Sequence, residues 1–132
     1  MILVVDATVA VHAALAGAWI PALLSATLTA PSLISSEVVA ATRQLEYRNE
    51  ISAEQADWAI DWFGQTTLDL HPSRDLMRDA LELARKLGWA KTYDAEYVVL
   101  ARRLGCTLVT TDARLRATAA SVIRVVGPTE VP

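Results

Sequence analysis

The chain has 132 residues, of which 53% are hydrophobic and 20% charged, with a formal net charge of −3 and one cysteine, Cys106. That length and apolar content fit one compact domain over residues 1–132 and exclude a disordered chain. A lone cysteine excludes an intramolecular disulfide, and the net acidity excludes an overall basic field for nucleic acid. No stretch reaches the 18 or so uninterrupted apolar residues of a membrane helix. The N-terminus lacks the positive region of a signal peptide, so a soluble, cytoplasmic protein without membrane contact is expected.

Ile2 to Val5 form an apolar, β-branched run that reads as a strand buried on both faces. It stops at Asp6, and Thr8 opens a helix to about Leu15, broken at Gly17. Trp19 to Leu24 read as a short helix with Pro21 in its first turn, and Leu28 to Ala30 as a strand stopped by Pro31. Ser35 or Ser36 can cap a helix to about Arg48 that carries Glu37 in its first turn. Ser52 caps the next helix, Ala53 to about Phe63, which Gly64 ends. That helix is apolar on two sides, with Ala56, Ala59, Ile60 and Phe63 on one and Trp58 and Trp62 on the other. The two tryptophans are expected to face another chain; the alternative is that they cover loops of their own chain.

Thr67 to Leu70 read as a strand, and Ser73 caps a helix to Leu87 that Gly88 ends. Thr92 opens a helix with Asp94, Tyr97, Val98, Ala101 and Leu104 on one face, ended by Gly105. Thr107 to Thr110 form a strand that stops at Asp112, Leu115 marks a helical turn, and Val122 to Val126 form a last strand before a polar tail. Short apolar strands alternating with longer helices predict an α/β fold: a Rossmann-like three-layer sandwich, its mostly parallel sheet of about five short strands covered on both faces.

Four acids fall where such a fold gathers element ends. Asp6 and Asp112 follow strands, while Glu37 and Asp94 sit in first helical turns on the same rim. Carboxylates gathered there repel, and hard cations with all-oxygen preference, Mg²⁺ or Mn²⁺, relieve that repulsion. An ion with open positions suits in-line attack on a phosphodiester, alone or as one of two about 3.5–4 Å apart. Each acid also has a plainer reading, since a first-turn carboxylate can simply complement a helix dipole. That reading suits Glu37 best. It suits Asp6 and Asp112 least, because each closes an apolar strand.

The blocks VVDATVAV, SEVVAA and YDAEYVVLARRLGCTLVTTDARL, in that order, resemble the PIN-domain nucleases, in particular the VapC-type toxins of toxin–antitoxin pairs. The resemblance spans residues 2 to about 126. It implies a PIN fold and a metal-dependent endoribonuclease that cleaves structured RNA, tRNA or rRNA, to arrest translation. It also implies a homodimer and a cognate VapB-type antitoxin. Asp6, Glu37, Asp94 and Asp112 match the family's acidic quartet, Thr110 the hydroxyl before the last acid, and Thr8 a usual Ser or Thr. Asp6, Asp94 and Asp112 are the expected metal ligands, with Glu37 orienting water or acting as general base. Some members carry another acid two residues past the last Asp. Here that position is Arg114, so one well-held ion is expected.

Arg114 and Arg116 are candidates to hold phosphates, together with the Thr8 hydroxyl, or to pair with the quartet. Glu96, about 200° round the helix from Asp94, is expected to face away. Alternatives are an RNA-processing nuclease of the same fold or a non-catalytic binding module. A haloacid-dehalogenase-like site would want Asp where Thr8 stands, and a receiver domain a lysine after a late strand, which neither Lys86 nor Lys91 supplies.

Overall fold

The computed structural model describes all residues, 1–132. Its five strands are β1 (Ile2–Val5), β2 (Thr27–Pro31), β3 (Asp69–His71), β4 (Thr107–Val109) and β5 (Val125–Val126). They form one all-parallel sheet in the order β3-β2-β1-β4-β5. The helices are α1 (Ala7–Ala16), α2 (Ile34–Tyr47), α3 (Ala53–Gln65), α4 (Ser73–Leu87), α5 (Tyr93–Leu104) and α6 (Ala113–Ala119). Helices α1, α2 and α3 pack on one another, while α5 lies on β1, β2 and β4 and carries α4 on its flank. Both faces of the central strand are thereby covered: Leu3, Val4 and Val5 are buried, as their unbroken apolar run requires. No helix is long and apolar enough to cross a membrane.

The chain leaves β1 toward β2 and β3, then returns across the sheet to β4 beside β1. The β1/β4 boundary is therefore the point where strand order reverses, and the crevice beyond the carboxyl ends of those strands is where α/β sheets bind ligands. Val5 pairs with Val109, and the Asp6 amide continues the ladder to the Val109 carbonyl at 3.2 Å. Asp6 and Thr110 leave the sheet side by side at that crevice.

Several boundaries differ from the sequence expectation. Helix α1 starts at Ala7, because the Asp6 side chain caps it by accepting from the Val9 amide. The Trp19–Leu24 helix shrinks to one 3₁₀ turn, Pro21–Leu23. Helix α2 begins at Ile34 with no side-chain cap, so neither Ser35 nor Ser36 serves. Helix α3 has the expected Ser52 cap, completed as a capping box by Gln55, but passes through Gly64 to Gln65. The last strand keeps only Val125–Val126, because the Val122 and Ile123 amides bond back to Ala119 at the end of α6.

Candidate active site

Asp6 is 5% exposed, and both of its carboxylate oxygens are engaged. Oδ1 accepts from the Thr8 hydroxyl at 2.6 Å and from the Val9 amide at 3.2 Å. Oδ2 accepts from the buried Thr110 hydroxyl. These bonds favour the ionised form, yet burial outweighs them and lifts the Asp6 carboxyl above the usual range, with Asp112 adding to the rise. The two threonines tie the corner together. Thr8 also accepts from the Thr111 amide at 3.1 Å, and Thr110 from the Asp112 amide at 2.9 Å.

Asp112 caps α6, its Oδ1 accepting from the Arg114 and Leu115 amides at 2.9 and 3.1 Å. Helix capping explains that oxygen in structural terms; Oδ2 is not used by the cap. Asp94, in the first turn of α5, is exposed and makes no protein hydrogen bond. Its carboxyl is raised by desolvation and then by Asp112 and Asp6, with Arg114 pulling the other way. Glu37, on α2, is raised by desolvation, lowered by a hydrogen bond from Tyr97, and raised again by Asp94, Asp6 and Glu96. Four carboxylates from α2, α5 and the ends of β1 and β4 thus share one field, and three of them hold protons more tightly than a free carboxyl.

They do not form a closed cage, since no three His, Cys, Asp or Glu side chains converge as a ready-made metal site. The donor chemistry nonetheless fits a hard cation. Every donor is a carboxylate oxygen, and Arg114 offsets part of the repulsion at Asp94. Mg²⁺ keeps several waters and takes only one or two carboxylates, so an open arrangement suits it.

No protein-family model matches the chain. Curated relatives do. Over 114 residues it is 33% identical to VapC ribonuclease Mb0985 of Mycobacterium bovis and to Ribonuclease VapC9 of Mycobacterium tuberculosis, covering 86% of this chain and 87% of each relative. The chain belongs to the VapC ribonuclease family. Solved structures agree on the fold. PAE2754 from Pyrobaculum aerophilum superposes with a TM-score of 0.66 at 19% identity, over 98% of this chain and 93% of that one. VapBC2 from Rickettsia felis, bound to a DNA fragment from its promoter, gives 0.65 at 16% identity, over 96% and 98%.

Within this VapC-family chain, three candidate residues have other partners than expected. The Thr8 hydroxyl holds Asp6 and accepts from Thr111, so it builds the corner rather than reaching outward. Arg116 does not face the quartet: its guanidinium forks onto Glu130 of the C-terminal tail, Nη1 to Oε1 and Nη2 to Oε2 at 2.6 Å. A bidentate carboxylate occupies the donors a phosphate would need. Trp62 is half-buried, its ring 5.6 Å from that of Trp19 at a 59° tilt, and Trp19 Nε1 donates to the Thr66 hydroxyl at 2.9 Å. Trp62 therefore seals its own chain, whereas Trp58 remains 52% exposed over Gly17, at the rim of an open hollow with Leu15 and Ile51.

Tyr97, expected only as part of a buried face, donates its hydroxyl to Glu37 Oε1 at 2.6 Å. Glu96 is half-buried beside Ser73, with Oε1 enclosed and unpartnered. The acid-Ala-Glu-Tyr spacing held the signal for Tyr97, since a buried phenol requires a polar partner.

Proposed function

We propose that this protein is a Mg²⁺- or Mn²⁺-dependent endoribonuclease, the toxin of a pair with a VapB-type antitoxin, which cuts structured cellular RNA, tRNA or rRNA, in the cytoplasm. The observation that carries the reading is the buried Asp6 carboxylate at the β1/β4 crevice, facing Asp94, Asp112 and Glu37 in a field with too little positive charge. A fold does not retain such a cost for stability. The names of the relatives, which are ribonucleases, support the same reaction class.

Asp6 and Asp94 would hold the cation directly, and Asp112 would offer Oδ2. Bound there, the ion supplies Lewis-acid polarisation of the scissile phosphodiester and a more acidic attacking water. The chain's own groups do the rest. Thr8 and Thr110 fix the Asp6 carboxylate by donating to each of its oxygens. Glu37 orients the attacking water and accepts its proton. Arg114, exposed at the start of α6, is positioned to take a flanking phosphate. The hollow beside Trp58 is the proposed antitoxin surface, and a homodimer is the proposed state.

The test is cleavage of cellular RNA with and without Mn²⁺ by the wild type, Asp6→Asn and Asp94→Asn. Metal-dependent cutting by the wild type alone is expected. Equal cutting by all three ends the reading. Growth arrest on expression, relieved by the same substitutions, separates a toxin from a processing nuclease.

A further inference from the structure

Tyr97 lies on the inner side of α5 and is 1% exposed. Its ring needs no explanation beyond the core, but its hydroxyl does. A buried phenolic oxygen without a partner is costly, and the partner here is Glu37 Oε1, 60 residues away in sequence and on another helix. The bond at 2.6 Å has the length of a charge-assisted O–H···O⁻ contact. It leaves Glu37 Oε2 without a protein donor, on a carboxylate that also feels Asp94 and Asp6. The Glu37 side chain has no other hydrogen bond, and α2 enters the site without a side-chain cap of its own. The geometry of Glu37 is thus set from α5, the helix that also carries Asp94 three residues earlier.

We infer that Tyr97 is a positioning residue. Its hydroxyl clamps Glu37 in one orientation relative to Asp94, so that Glu37 meets the attacking water without first giving up side-chain freedom. The inference rests on the proposed catalytic part of Glu37. It goes beyond it by naming the group that aims that carboxylate. Tyr97 touches neither RNA nor cation. Burial and the neighbouring carboxylates push its hydroxyl well above the usual tyrosine range, so it remains a donor at every working pH.

Tyr97→Phe keeps the buried ring and removes only the clamp. At saturating Mn²⁺, with one purified RNA that the wild type cuts, kcat is expected to fall about 10- to 100-fold, the range for groups that orient a site residue. KM should stay near that of the wild type, because the lost orientation belongs to the reacting state. The deciding comparison is with Glu37→Ala. If Tyr97 acts through Glu37, the double variant cuts at the rate of Glu37→Ala alone. Its Tm also exceeds that of Glu37→Ala, because the orphaned hydroxyl is gone. A Tyr97→Phe effect of equal size in both backgrounds, or none in the wild type, overturns the inference and leaves Glu37 standing. Glu37→Ala cutting like the wild type removes the catalytic part of Glu37 and the inference with it.

Discussion

Asp6 and Asp94 are both carboxylates on one rim, yet the protein treats them in opposite ways. Asp6 is buried, caps α1 and has each oxygen held by a threonine hydroxyl. Asp94 stands exposed on the first turn of α5 and is held by nothing. The difference follows from where each leaves the fold. Asp6 ends the central strand of a sheet covered on both faces, so its charge has to be satisfied by the neighbouring β4 end. Asp94 begins a helix with no protein donor on its carboxylate, which partial desolvation and the neighbouring Asp112 and Asp6 raise. A site built this way has one fixed wall and one adaptable wall. The fixed wall can define where a cation sits, and the adaptable wall can close on it together with RNA.

Asp6→Asn tests the fixed wall most severely. Cleavage should fall by more than about 100-fold, beyond the range for outer-shell changes. Meanwhile Tm should hold or rise, because Asn still caps α1 and removes a buried charge. A large fall in Tm would make Asp6 a structural residue.

Thr110→Val weakens the same wall without touching a carboxylate. It deprives Asp6 of a donor and the Asp112 amide of an acceptor, so about 1–3 kcal/mol of stability should go, by denaturant melt. Activity should fall about 10- to 100-fold. Thr8→Val loses one bond to Asp6 from a more exposed position, so its effects should run the same way and be smaller.

The pH dependence of stability tests the charge that the two walls share. Asp6, Glu37 and Asp94 all have carboxyls raised on folding, chiefly by desolvation. The folded state then binds more protons than the unfolded one, so cation-free protein should lose stability as pH climbs through their unfolded values, 3.8 for the aspartates and 4.5 for Glu37, into their raised range. Adding Mn²⁺ should therefore raise Tm more at pH 7 than at pH 4. An equal shift at both would separate the cation from these acids.

Arg116→Ala should matter least. Its pairing with Glu130 is an exposed contact to the tail, so Tm should shift slightly and cleavage not at all. Arg114→Ala should instead weaken RNA binding and flatten its salt dependence.

What the sequence disclosed and what it withheld follow from the range of the forces involved. The central strand, the Ser52 cap and the strand-ending Asp6 depend on neighbours within a few residues, and they are legible. The inward turn of Trp62 depends on Trp19, 43 positions away, and helical periodicity alone cannot say which of two apolar sides meets the core. The α2 start was misplaced for a similar reason. Ser32 and Ser73 bond to each other across the ends of β2 and β3, and Ser73 accepts from the Leu33 amide, work that local capping rules assign to Ser35 or Ser36. Arg116 finds Glu130 only because the tail folds back over α6.

The most direct test of the proposed cation site is a calorimetric titration of Mn²⁺ into Asp94→Asn beside the wild type. Asp94 makes no protein hydrogen bond, so its loss leaves the fold intact and changes only the adaptable wall. The wild type should bind Mn²⁺ and cut RNA, while Asp94→Asn, with a cation-free Tm at or above that of the wild type, should lose both. Wild-type binding and cutting in Asp94→Asn would contradict the account.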